Sequence, residues 1–324
     1  MIEEVLPNLF RIKIPLPQSP LKFLNSYVIK ASDRNLIIDT GLNREECLSA
    51  MQAGLRELSV DLEKTDFFIT HMHADHLALV SRLVTDTSKT YFNRPDAEII
   101  KAWSWWESMI HYARINGFPE DELQAALHNH PGYKYRPERI PELSILKDGD
   151  TIIIGDYFFK CVETPGHTRG HACLHEPAKK VLVCGDHILN DITPNIQCWS
   201  DQGNPLKSYL ASLDKVYELR VDLVLPGHRR LFRNYKERIR ELKQHHQERA
   251  DEILLILSKG SRNAFQVASG MTWDIKCESW EQFPVAQKWF ATGETIAHLR
   301  YLEEKGMVFR ETEEKTITYS LNQE

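Results

Sequence analysis

The stretch TDFFITHMHADHLALV, residues 65–80, governs the reading of the whole chain. Its first half is short and apolar, as for a buried strand. Its last part restarts apolar spacing at helical intervals. Between them stand His71, His73, Asp75 and His76, three imidazoles and a carboxylate within six residues. A solvated charge cluster has no need of that spacing, whereas a catalytic metal has. On an extended loop alternate residues point the same way, so His71 and His73 can share one ion. Asp75 and His76 fall where the chain turns into the helix and can face a neighbouring ion. A strand-to-helix loop is also where catalytic side chains are commonly presented.

Three more segments offer the same chemistry. TPGHTRGH supplies His167, VCGDH supplies Asp186 and LPGH supplies His228. Each follows a predicted strand, so all can meet at one sheet edge. Five imidazoles and two carboxylates suit two borderline divalent ions, zinc first, with iron or manganese as alternatives. A bridging carboxylate would hold the ions roughly 3.5–4 Å apart, as in two-metal hydrolytic sites. Gly185 and Gly227 stand directly before Asp186 and His228, where the backbone must turn tightly.

The series H-x-H-x-D-H, P-G-H-T-x-G-H, G-D and P-G-H, in this order, resembles the metallo-β-lactamase superfamily over roughly residues 1–235. The resemblance implies an α+β fold, an αββα sandwich of two packed sheets with helices outside. It implies a first ion on His71, His73 and His167, a second on Asp75, His76 and His228, and Asp186 as the bridge. It also implies a metal-bound hydroxide as nucleophile, with Asp75 orienting it and passing on its proton. Asp39 of IIDTG, Thr70 and His171 are then expected to hold the imidazoles from behind and fix their tautomers.

Around these motifs the chain reads as ordinary globular material. It has 324 residues, 42% hydrophobic and 27% charged, enough for one large domain and a smaller one. A net charge of −6 speaks against a dedicated nucleic-acid binder. The first twenty residues carry two early acids and several prolines instead of a signal peptide's basic start and apolar core. No apolar run is long enough for a bilayer. The six cysteines, with no C-x-x-C pair, read as reduced thiols of a cytoplasmic protein.

A first domain is expected over residues 1–240, with a helical insertion at about 95–145, and a winged-helix-like domain over 241–324. The insertion contains AEIIKAWSWWESMIHYARINGF, whose Trp103, Trp106 and Tyr112 are candidates for a substrate pocket or a homodimer contact. Tyr209 is a further pocket candidate, since lactonases of the superfamily often keep a tyrosine near the site. His128 and His130 are expected on a solvated loop, and His245 and His246 on an exposed helix face. Residues 240–324 contain 11 Lys and Arg against 14 Asp and Glu, a net of −3, so DNA is not an expected partner.

THMHADH also matches the pattern of glyoxalase II-like thioesterases, and GDHILNDITPNI with NPLKSYLASL resembles a group of bacterial superfamily hydrolases. The expected function is therefore hydrolysis of a small acyl substrate, a thioester, lactone or ester. The alternatives are a phosphodiesterase or endoribonuclease of the same superfamily, or a metal-bearing regulatory protein without activity.

Overall fold

Phe67 and Phe68 point to opposite faces of one central strand, and the layers of the molecule follow from that alternation. The computed structural model describes residues 2–102, 105–275 and 277–322. The first sheet has seven strands in chain order: β1 (Ile2–Leu6), β2 (Leu9–Pro15), β3 (Phe23–Ile29), β4 (Asn35–Ile38), β5 (Thr65–Phe68), β6 (Thr90–Asn93) and β7 (Leu143–Leu146). The first four pair antiparallel and the rest parallel, so β4, β5 and β6 all end at the same edge. The second sheet comprises β8 (Thr151–Ile154), β9 (Tyr157–Glu163), β10 (Ala172–Glu176), β11 (Val181–Gly185) and β12 (Leu223–Pro226). Its last pair, β11 and β12, is parallel.

Three apolar layers hold these sheets. Tyr27, Ile29, Ile38 and Phe68 of the first sheet meet Phe159, Leu174 and Val183 of the second. On the outer face of the first sheet, Val28, Ile37 and Phe67 meet Cys47, Met51 and Leu55 of α1 (Glu45–Glu57), which share one face at intervals of four residues. On the outer face of the second sheet, Leu182 and Val224 meet Leu213 and Val216 of α7 (Pro205–Tyr217). The result is helix, sheet, sheet, helix.

α2 is the single turn Ala74–Leu77 inside the histidine motif. The insertion folds as α3 (Arg94–Lys101), α4 (Trp105–Ile115), α5 (Glu120–Asn129) and α6 (Pro131–Lys134). α6 packs against α2, so the insertion lies beside the motif. Beyond β12 come α8 (Tyr235–Leu257), α9 (Ala264–Gly270), α10 (Val285–Glu304) and the hairpin β13 (Val308–Glu313) and β14 (Thr316–Leu321). The boundary expected after residue 240 falls inside α8, whose buried stripe of Ile239, Leu242, Ala250, Ile253 and Leu257 runs unbroken across it. Both sides share the apolar layer behind the second sheet. No helix is long and apolar enough to cross a membrane among the described residues.

Candidate metal centre

Four chain turns converge at one edge of the two sheets. The segment leaving β5 carries His71 and His73, and the first turn of α2 carries Asp75 and His76. His167 lies in the loop after β9, Asp186 directly after β11, and His228 shortly after β12. Their donor atoms form groups within 4.8 Å of one another: His71 with His73 and His167, His71 with His76 and Asp186, and Asp75 with His76 and His228. His167 Nε2 lies 3.0 Å from His73 Nδ1, and His76 Nε2 lies 3.3 Å from His228 Nε2. Asp186 sits between the groups. Its Oδ2 is 3.7 Å from His167 Nε2 and 3.5 Å from His228 Nε2, and its Oδ1 is 3.6 Å from His76 Nε2. Asp75, His73 and His167 are partly exposed, whereas His71, His76 and His228 are buried, so the cluster meets solvent on the side of the first three.

Four of the five imidazoles, those of His71, His76, His167 and His228, have their remote nitrogen held from behind. His76 Nδ1 donates to Asp39 Oδ2 at 2.7 Å. His167 Nδ1 donates to the Asn195 carbonyl at 2.9 Å, and His228 Nδ1 to the Phe23 carbonyl at 3.0 Å. Thr70 Oγ1 donates to Asp39 and lies 3.0 Å from His71 Nδ1. These bonds turn the Nε2 atoms of His71, His76, His167 and His228 inward. Of the expected supporting residues, Asp39 and Thr70 lie against His76 and His71, whereas His171 reaches the backbone of Asp186 and not an imidazole. His171 Nδ1 lies 2.8 Å from Thr164 Oγ1, while its Nε2 accepts the backbone N–H of Asp186 at 3.2 Å.

Close packing explains two glycines. A Cβ at Gly227 would come within 2.7 Å of Asp186 Oδ1 and of His76 Cε1. One at Gly185, whose φ is +47°, would come within 2.7 Å of Thr70 Oγ1. Arg229 follows in the left-handed region at φ +67°, and its carbonyl and that of Pro226 both accept from Asn25 Nδ2.

The electrostatics of the cluster divide its imidazoles into two kinds. Burial and neighbouring imidazoles push His71 far below the ordinary histidine value, and His73 down to about 3. Burial also opposes charge on His228, but Asp186 and Asp75 outweigh it and raise that imidazole to about 10. His76 is raised for the same reason, with Asp39 the strongest contributor. Asp75 and Asp186 stay ionised because His76 and His228 overcome the cost of their burial. His71 Nε2 and Asp186 Oδ1 are buried without a hydrogen-bond partner. Inward-facing imidazole nitrogens, two ionised carboxylates and orphaned donor atoms fit divalent metal ions.

Asp96, in the first turn of α3, drew no notice in the sequence, yet it ties the ligand loops together. Its carboxylate accepts from Met72 N at 2.9 Å, Thr168 Oγ1 at 2.7 Å and Gly170 N at 2.6 Å. A lone aspartate beside a helix proline gives no signal of that role. Other expectations are corrected. Tyr209 is fully buried, donates to the His187 carbonyl at 2.9 Å, and so does not line an open pocket. Tyr112 is 5% exposed and donates to Asp201 at 3.0 Å behind the second sheet, not at the cluster. Trp106 is half-buried against His130 and Tyr133. Trp103 lies outside the described residues. His130 is not on a solvated loop; it caps α6 through Gly132 N and packs against Trp106, Trp289 and Phe290. His246 is buried, 2% exposed, with Nδ1 3.1 Å from His298 Nε2.

Known proteins resemble this chain to different extents. A probable metallo-hydrolase of Bacillus subtilis, YqjP, is 24% identical over 326 residues, covering 96% of this chain and 97% of its own length. The acyl-coenzyme A thioesterase MBLAC2 of Homo sapiens is 26% identical over 217 residues, 63% of this chain and 72% of the relative. The crystal structure of a metallo-beta-lactamase family protein from Thermus thermophilus superposes with a TM-score of 0.82 at 26% identity, covering 98% of this chain and 100% of that one. The family model for the metallo-beta-lactamase superfamily matches residues 20–228, more than half of the chain and all seven clustered side chains, so the chain belongs to the metallo-beta-lactamase superfamily.

Proposed function

We propose that this chain is a dinuclear metal-dependent hydrolase of a small acyl substrate, with a thioester as the first choice over a lactone or a simple ester. The observation that carries the reading is Asp186, buried between a group of three imidazoles and a group of two imidazoles and a carboxylate. His71, His73 and His167 would hold one ion, Asp75, His76 and His228 the other, and Asp186 both. Two such ions, zinc before iron or manganese, lower the pKa of water and polarise a carbonyl. Asp75, ionised and the solvent-facing carboxylate of the group, is placed to accept a proton from the attacking water and return it to the leaving group. The thioester preference follows the thioesterase relative.

Residues 241–324 are read as a winged-helix-like module that serves the enzyme and not DNA. α10, the counterpart of a recognition helix, is buried from Ala291 to Leu299, so that stretch offers no face to a groove, and its partly exposed end carries Glu303 and Glu304 beside Arg300. The test is a matched panel of acyl-coenzyme A thioesters, homoserine lactones and single-stranded RNA, with metal-loaded protein and with Asp186→Ala as the blank. Thioester cleavage absent from the blank is the expected result. RNA cleavage without acyl turnover would overturn it in favour of a phosphodiesterase.

A further inference from the structure

The loop between β11 and α7 holds no expected ligand beyond Asp186 at its start, yet it sets the ring of another. Asn195 offers its carbonyl to His167 Nδ1 and donates from its side-chain amide to Glu294 Oε2 at 2.6 Å. Glu294 lies on α10, nearly buried at 8% exposure, with Arg249 Nε of α8 3.7 Å from its Oε1. The same loop is fastened to α10 at its next residues. Cys198 N donates to the Gly293 carbonyl at 3.0 Å, and Trp199 stacks on Trp289 with ring centroids 4.2 Å apart. Gly293 makes that stacking possible, because a Cβ there would come within 2.7 Å of the Trp199 indole. Further along, Asp201 accepts from Tyr112 Oη and from Arg310 of β13.

A buried carboxylate with a guanidinium 3.7 Å away is poorly compensated, and an apolar side chain would fill the space at less cost. Its contact with Asn195 gives a reason for it. We infer that Glu294 is a positioning residue for the metal centre: through Asn195 it fixes the carbonyl that takes the His167 Nδ1 proton, and so aims His167 Nε2 at the site. This rests on the reading of His167 as a metal ligand. On this inference the C-terminal helices complete the centre, since α8 and α10 supply the far end of the tie.

The test compares full-length wild type with Glu294→Gln, Glu294→Met, Asn195→Ala and His167→Ala. Zinc affinity is read by competition with a chromophoric chelator, ligand geometry by the absorption spectrum of cobalt-loaded protein, and folding by thermal melting. Glu294→Gln keeps an acceptor for the Asn195 amide and is expected to bind zinc like wild type. Glu294→Met and Asn195→Ala are expected to weaken one of the two ions roughly 10- to 100-fold and to change the cobalt spectrum. Asn195 is only half-buried, so its variant decides the matter where Glu294→Met fails to fold. Wild-type affinity and spectrum in a folded Asn195→Ala, with His167→Ala losing an ion, would overturn this inference alone. Retention of both ions by His167→Ala would overturn the ligand reading beneath it.

Discussion

Asp39 Oδ2 lies 2.7 Å from His76 Nδ1, while the other oxygen of the same carboxylate takes the backbone N–H of Thr70 at 2.9 Å. One side chain thus sets the tautomer of an imidazole and the position of the strand end that carries His71. Asp39→Asn cannot satisfy both, because an amide turns an N–H toward one of two donors. The variant is expected to bind zinc roughly 10- to 100-fold more weakly, measured by chelator competition. Unchanged affinity would remove Asp39 from the ligand support.

Asp186 is expected to matter to both ions at once. In Asp186→Ala, zinc content per chain and hydrolysis should fall together, since the loss leaves two half-sites with no shared carboxylate. Metal analysis and initial rates on the same preparation check this. Full activity at normal metal content would sink the bridging assignment.

Metal binding should expel protons. In the metal-free protein His228 is raised to about 10, above the ordinary 6.5, by Asp186 and Asp75 acting against burial. A raised group stabilises the fold below its unfolded value, and that contribution is lost as pH climbs through about 10. Near neutrality the proton is therefore on, and an incoming cation must displace it. Calorimetric titration with zinc in two buffers of different ionisation enthalpy should show proton release, with apparent affinity falling as pH is lowered. Identical heats in both buffers would contradict the assignment.

Asp96 accepts three hydrogen bonds from the segments that flank His71, His73 and His167. Asp96→Ala leaves those donors unpaired in a buried place and is expected to cost about 2–4 kcal/mol, read from chemical denaturation. Burial raises the carboxyl to about 6 from an ordinary 3.8, so its contribution favours the fold at low pH and is lost as pH rises through 6. Asp96→Asn should flatten the stability curve between those two values. A variant with wild-type stability and unaltered pH dependence would show the loops are held otherwise.

The clustered side chains were legible because each ligand motif is local. His71 and His73 alternate on an extended segment, and Gly185 and Gly227 mark the tight approaches beside Asp186 and His228. Alternating apolar residues likewise mark the two faces of β3, β4 and β5. Asp96, Asn195 and Glu294 were not legible, because each acts through a partner 24 to 99 positions away. Tyr112 and Tyr209 misled for the converse reason, since an aromatic ring at helical spacing reads alike whether it lines a cavity or fills a core.

From sequence alone came the pattern of donor atoms, the strand ends that bear them and the apolar periods of single strands and helices, while the stacking of two sheets between helices came from the resemblance that the motifs carry. These are near-neighbour properties, set by pleat, helical repeat and the geometry of tight turns. Only the tertiary structure decided which loops meet, which rings are buried, and that the last helices reach His167 through Asn195 and Glu294. Those relationships depend on packing between segments far apart in the chain, where a single carbonyl or carboxylate is chosen by the space left around it.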